Sequence, residues 1–107
     1  MKNQVRIGFL GAGGIARAHA YALDALKYYY TDAPTVAKVF VASPTPESRL
    51  SFADRFGFSE ALEPEAVWER KDIDALYLLG PNRTHTPQLI RASKMPNLKR
   101  IYVEKPL

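Results

Sequence analysis

The chain contains 107 residues, of which 47% are hydrophobic and 24% are charged, and it contains no cysteine. This length suits one domain, the composition is too apolar for a disordered chain, and the lack of cysteine excludes disulfides and thiolate chemistry. Fifteen Lys and Arg against eleven Asp and Glu give a net charge of +4, but they are scattered, so we expect no nucleic-acid groove.

The first part of the sequence predicts a buried strand followed by an amphipathic helix. Val5 to Leu10 is a short, mostly apolar run that leads directly into glycines, which is typical of a strand buried on both faces. The helix that follows is expected to end near the breaker sequence Asp32-Ala33-Pro34. The helix is indicated as amphipathic by residues that recur at spacings of three and four: Ile15, His19, Ala22, Leu23, Leu26 and Tyr30.

A second strand and a second helix are predicted in the middle of the chain. Val36 to Ala42 is a run rich in β-branched residues and indicates the second strand. Thr45 and Pro46 are typical of an N-cap and a first helical residue, and Gly57 predicts the end of that helix.

The remaining sequence predicts three further strands and two further helices. A short strand is expected within residues 58–62, and a brief helix from Glu63 to Glu69. Asp74 to Leu79 predicts the fourth strand, and Thr86-Pro87 predicts the start of a helix that runs through Lys94. Lys99 to Glu104 predicts the fifth strand.

The alternation of strands and helices favours an α/β fold with right-handed crossovers. We therefore expect a doubly wound parallel sheet of about five strands in the order 3-2-1-4-5, the arrangement of a Rossmann NAD(P)-binding fold. Ligands in such folds bind beyond the carboxyl ends of the strands, where the strand order reverses.

The turn between the first strand and the first helix carries a dinucleotide-binding pattern. Gly11 to Ala16 fits G-x-G-x-x-G/A, in which the first glycine permits the tight turn and the second lets the backbone approach a pyrophosphate. Free amide groups at the helix start would bind the phosphates. A purely structural turn, or a site for S-adenosylmethionine, is the alternative. The residues predicted to contact the cofactor here are Gly11, Gly13, Gly14 and Ile15.

The end of the second strand bears on the choice between NAD and NADP. Ser43 stands where an acidic residue would bind the ribose hydroxyls, so nothing there repels a 2′-phosphate. The hydroxyls of Ser43 and Thr45 are predicted to donate to that phosphate, and Arg49 to supply charge. This favours NADP. Alternatively, Thr45 only caps the helix and Arg49 only faces solvent.

Three segments together resemble the Gfo/Idh/MocA oxidoreductases, a family that includes glucose–fructose oxidoreductase and inositol dehydrogenases. They are Ile7 to His19, Gly80 to His85 (GPNRTH), and Glu104-Lys105-Pro106. The resemblance covers essentially the whole chain but only the amino-terminal half of the family. The glycine turn is shared with many folds, whereas its ordered combination with the other two motifs is much more specific.

The resemblance implies an NAD(P)-dependent oxidoreductase acting on a sugar, cyclitol or related polyol. It implies that Lys105 is the active-site lysine, near nicotinamide and substrate, and that Glu104 and Pro106 position it. The chain departs from the family where Pro44 replaces the arginine that follows serine in other members. The remaining cofactor-cleft residues implied by the resemblance are Pro81, Asn82 and His85, with His85 beside the nicotinamide.

The chain stops at Leu107, before the family's substrate domain and its acid–base partner would begin. We therefore expect residues 1–107 to be a cofactor-binding domain that binds the nucleotide without turnover. The alternatives are a non-catalytic dinucleotide-sensing module and a structural domain that dimerises through Tyr28-Tyr29-Tyr30.

Location and partners are predicted mainly from what the sequence lacks. The longest apolar run has five residues and no stretch behind Met1 resembles a signal peptide, so we expect a cytoplasmic protein without membrane contact. No spacing suggests a metal site. His19 is expected to pack against the core, and a homodimer is expected if a face normally covered by a second domain is exposed.

Overall fold

The computed structural model describes residues 4–29 and 35–103, and the elements in these ranges follow the predicted order. All neighbouring strands pair in parallel, and the sheet order is β3-β2-β1-β4-β5, which confirms the predicted doubly wound arrangement. The five strands are β1 (Gln4–Leu10), β2 (Thr35–Ala42), β3 (Glu60–Leu62), β4 (Ala75–Leu78) and β5 (Arg100–Val103).

The described helices are α1 (Gly14–Tyr29), α2 (Pro46–Phe56) and α3 (His85–Ala92), with 3₁₀ helices at Pro64–Glu69 and Asn82–Thr84.

The predicted start of α3 at Thr86-Pro87 was wrong by two residues. The Thr84 amide and hydroxyl both donate to the Pro81 carbonyl, at 2.9 and 2.6 Å, and the resulting 3₁₀ turn leads directly into the helix at His85. Pro87 is then the third helical residue, a position whose amide has no partner within a helix. The helix also ends earlier than predicted, at Ala92 rather than Lys94.

The ends of α2 agree with the prediction in position but not in the capping side chain. Thr45 is the N-cap residue and Pro46 the first helical residue, yet the Thr45 hydroxyl makes no capping hydrogen bond. At the other end, Gly57 adopts a left-handed conformation with φ 77° and donates to the Ala53 carbonyl at 2.9 Å. This is the helix stop that the sequence predicted.

The sheet is covered by apolar groups on both faces. On the face of α1 and α2, the Phe9 ring centroid lies 4.9 Å from that of Phe58, and fully buried Ala16 and Ala20 let α1 pack closely. On the other face, Phe40 is buried in a second cluster beneath α3 and the first 3₁₀ helix. Central strands covered on both sides explain the nearly continuous apolar runs in the sequence.

His19 packs as predicted, with its ring centroid 5.0 Å from that of Tyr102 and 5.7 Å from that of Tyr77. Tyr30, Glu104, Lys105 and Pro106 lie outside the described residues. Within the described ranges, none of the helices has the length and apolar character needed to cross a membrane.

Candidate functional site

The carboxyl ends of four strands converge on a cleft of about 250 Å³. Its walls come from the glycine turn after β1, from Ser43-Pro44 after β2, from Pro64 beyond β3, and from Gly80-Pro81 after β4. β1 lies between β2 and β4, so the cleft lies at the point where the strand order reverses. This is where ligands bind in doubly wound folds.

Gly11 fits the turn tightly against the loop that follows β4. Its φ is +131°, and a Cβ at this position would lie 2.7 Å from the carbonyl carbon of Leu79 and 2.9 Å from the amide nitrogen of Gly80. Its amide donates to the Ala42 carbonyl at 2.8 Å. The packing of the turn therefore requires glycine at position 11. The residues that follow Gly11 in the turn are available to contact a ligand.

Gly13 and Gly14 differ from Gly11 because, apart from their chain neighbours and the backbone of α1, no atom lies within 4 Å of the position that a Cβ would take at either residue. Gly13 accepts the first helical hydrogen bond of α1, from Arg17 at 3.1 Å, and the earlier amides of the helix have no helical partner. Open space beside unpaired amides suits the pyrophosphate of a dinucleotide. Ile15, in this first turn, exposes 38% of its surface.

The structure brings Ser43 and Arg49 together at the end of β2. An Arg49 guanidinium nitrogen (Nη1) donates to the Ser43 carbonyl at 3.1 Å, so the guanidinium is held at the cleft edge rather than in open solvent. Ser43 is 5% exposed, and its hydroxyl donates to the Thr45 carbonyl at 3.3 Å. In this conformation the loop itself uses the Ser43 hydroxyl hydrogen, and its donation to a phosphate stays a prediction.

Beyond β4, Pro81 lines the cleft and the backbone of Asn82 begins a 3₁₀ helix, while the Asn82 side chain lies outside the described part of the structure. The Nε2 atom of His85 lies 2.9 Å from the Gly80 carbonyl. A carbonyl only accepts, so Nε2 carries the hydrogen of this bond. The ring is thereby held against the loop after β4, on the side of the sheet that leads to β5.

The carboxyl and phenol groups whose pKa values are shifted lie away from the cleft. A hydrogen bond from the Arg6 backbone amide lowers the pKa of Asp74, immediately before β4, and the Arg70 guanidinium lowers the pKa of Asp72. Burial raises the pKa of Tyr77. Among the residues that the structure describes, no three His, Asp or Glu side chains are grouped to hold a metal.

One residue of the first turn of α1 lies outside the site, and one residue of the site was not predicted from the sequence. Arg17 does not line the cleft but faces a separate groove between α1 and α2, with Ser48, Ser51 and Arg55. Gln88 of α3 does line the cleft, although nothing in its local sequence indicates this. Gln88 lies at the cleft because α3 packs against the loop that follows β4.

Residues 5–107 match the model of the Gfo/Idh/MocA family, an oxidoreductase family with an NAD-binding Rossmann fold. The chain belongs to this family, which confirms the resemblance carried by its three motifs.

Among individual proteins, the chain is 34% identical over 108 residues to scyllo-inositol 2-dehydrogenase (NAD(+)) of Bacillus subtilis, covering 100% of this chain and 29% of that protein. It is 29% identical over 105 residues to levoglucosan dehydrogenase of Pseudarthrobacter phenanthrenivorans, covering 96% and 26%. A solved structure of levoglucosan dehydrogenase in complex with NADH superimposes with a TM-score of 0.88 at 26% identity, over 97% of this chain and 28% of that one. The chain thus spans less than a third of the length of these relatives.

Proposed function

We propose that this chain is the nucleotide-binding domain of an NAD(P)-dependent oxidoreductase that acts on a sugar, a cyclitol or a related polyol. The observation that carries the proposal is the open space at Gly13, beside the free amides of α1 and within the cleft at the carboxyl ends of the strands. A tight Gly11 followed by an unobstructed Gly13 is what close approach of a pyrophosphate requires.

When bound, the nicotinamide ring would supply the hydride chemistry, and the protein would bind and orient it. The first turn of α1 would hold the phosphates through backbone amides and the positive end of the helix dipole. The His85 ring, held by Gly80, and Pro81 would define the wall on the β4 side. By the family resemblance, the Lys105 ammonium would lie near the reacting carbon–oxygen bond and stabilise negative charge on that oxygen.

The substrate class rests on the relatives, whose names specify an inositol and levoglucosan. This chain matches less than a third of the length of either relative. We therefore assign binding of the dinucleotide to residues 1–107, without turnover. Steady oxidation of NADPH by these residues in the presence of a polyol or ketose would contradict that assignment.

The proposal includes a preference for NADP over NAD. None of the described residues that line the cleft carries a carboxylate that would repel a 2′-phosphate. One guanidinium N–H of Arg49 donates to the Ser43 carbonyl, and its other N–H groups remain as donors at the end of β2. NADPH should therefore bind more tightly than NADH, and replacing Arg49 with Met should remove most of the difference. Equal or tighter binding of NADH by the unaltered chain would refute the preference.

Titration of NADPH fluorescence tests the function itself. The chain should bind NADPH saturably, and Gly13→Val should abolish binding because an isopropyl group would fill the space beside the free amides. Ala22→Val is the matched control, since Ala22 lies exposed on α1, away from the cleft. Absence of saturable binding to the folded chain, or unimpaired binding by Gly13→Val, would refute the proposal.

A further inference from the structure

The side chain of Gln88 presents an unsatisfied hydrogen-bond acceptor at the cleft. Gln88 is the fourth residue of α3 and one of the residues that line the cleft, yet its Oε1 atom is buried and has no hydrogen-bond partner among the described residues. Most buried polar atoms in proteins are paired, because an unpaired one has lost water without compensation. We therefore expect a group that enters from the cleft to donate a hydrogen bond to this oxygen.

The nearby hydroxyl and imidazole donors are already committed elsewhere. Thr84 gives its hydroxyl hydrogen to Pro81, His85 gives its ring hydrogen to Gly80, and Ser43 gives its hydroxyl hydrogen to Thr45. Each of these hydrogens is used in a bond to a backbone carbonyl. A donor for Gln88 is therefore expected from the ligand.

The shape of the cleft indicates which part of a dinucleotide that donor belongs to. Pro44, Pro64 and Pro81 contribute rigid apolar rings to its walls, which suit a flat heterocycle. The cleft runs from the glycine turn toward the ends of β2 and β3, and the loop after β4 and Gln88 of α3 form its opposite wall. In doubly wound folds the adenosine half of a dinucleotide lies at the end of the second strand, where its ribose hydroxyls are bound, so Gln88 lies across the cleft from the adenosine half.

We propose that Gln88 recognises the adenine ring by accepting a hydrogen bond from its exocyclic amino group. This inference rests on the proposed binding of a nicotinamide dinucleotide and deepens it. Shape and stacking alone would accept any purine, whereas an acceptor buried at this position favours an amino group and disfavours a carbonyl oxygen there.

The test compares NADH with reduced nicotinamide hypoxanthine dinucleotide, in which a carbonyl oxygen replaces the amino group of adenine. The unaltered chain should bind NADH about 3- to 10-fold more tightly than the analogue, the effect of one hydrogen bond. Gln88→Met, which keeps the length of the side chain and removes the acceptor, should bring the two affinities to within about twofold of each other. Ile90→Met is the control, because Ile90 lies on the same helix and is 54% exposed. It should keep the preference for NADH.

Urea unfolding without nucleotide provides a second measurement. Gln88→Met removes an unsatisfied buried acceptor, so this variant should unfold at the same or a higher urea concentration than the unaltered chain. A clear loss of stability would mean that a protein group already pairs with Gln88, and would overturn the inference. An unchanged ratio of affinities in Gln88→Met would overturn it as well, and would leave dinucleotide binding intact. Failure of the unaltered chain to bind either nucleotide would instead overturn the proposed function and this inference together.

Discussion

Replacing Gly11 with alanine would place a methyl group 2.7 Å from the carbonyl carbon of Leu79 and 2.9 Å from the amide nitrogen of Gly80. Both are backbone atoms at the end of β4, so neither can turn aside as a side chain could. The φ of +131° adds strain for any residue with a Cβ, which costs about 1–3 kcal/mol. Displacing the β4 loop adds a similar cost of overpacking, about 1–3 kcal/mol.

Gly11→Ala should therefore lower the free energy of unfolding by about 2–6 kcal/mol, a large part of the stability of a domain of this size. Urea unfolding followed by the fluorescence of the single tryptophan, Trp68, would measure it. At a urea dependence of about 2 kcal/mol per M, the midpoint should fall by about 1–3 M.

Gly13→Ala is the matched substitution in the same turn. No atom lies within 4 Å of its Cβ position, so the free energy of unfolding should change by less than about 0.5 kcal/mol while the affinity for NADPH falls. If Gly11→Ala were as stable as the unaltered chain, or if Gly13→Ala were the less stable of the two, the assignment of packing to one glycine and ligand space to the other would be wrong.

Three further predictions concern the rest of the domain. Arg70→Met should cost about 1 kcal/mol of stability, and less at high salt, because it removes ion pairs with Glu60 and Asp72; a salt-independent loss in urea unfolding would contradict this. The pKa of Asp74 is lowered by folding, so its stabilising effect is present above about pH 4 and disappears as pH falls through the folded pKa; acid unfolding of Asp74→Asn should show a shallower decline, and an unchanged profile would refute this. Light scattering at high concentration should show a dimer that Tyr28→Ser weakens, since Tyr28 is 77% exposed; a monomer would refute it.

The elements of the sheet were largely predictable because their signals are local. The apolar run of β1 and the β-branched run of β2 each need only neighbouring residues to be recognised. Gly57 ended α2 as predicted, because a left-handed residue is a property of the turn itself. The start of α3 was misplaced because a competing local signal, the Thr84 hydrogen bonds to Pro81, formed a 3₁₀ turn ahead of the expected cap.

The candidate site was predictable only where a motif lies in one continuous segment. The glycine turn and Pro81 line the cleft as expected. The hydrogen bond from the Ser43 hydroxyl to the Thr45 carbonyl was not predictable, because it depends on the path of the following loop, which brings that carbonyl within reach. Gln88 was missed because its role depends on the contact between α3 and the ends of other strands, which no spacing along the chain encodes.

The amino-acid sequence alone was enough to predict the parallel α/β fold, the strand order and the family. Periodicity, turn residues and short motifs each lie within a short segment of the chain, so they can be recognised without the tertiary structure. Only the tertiary structure separated the two glycines of the turn, one packed against Leu79 and one open to the cleft. It also revealed the unpaired acceptor of Gln88. Steric fit and hydrogen-bond satisfaction depend on atoms from distant parts of the chain, and these meet only when the sheet and its helices are assembled.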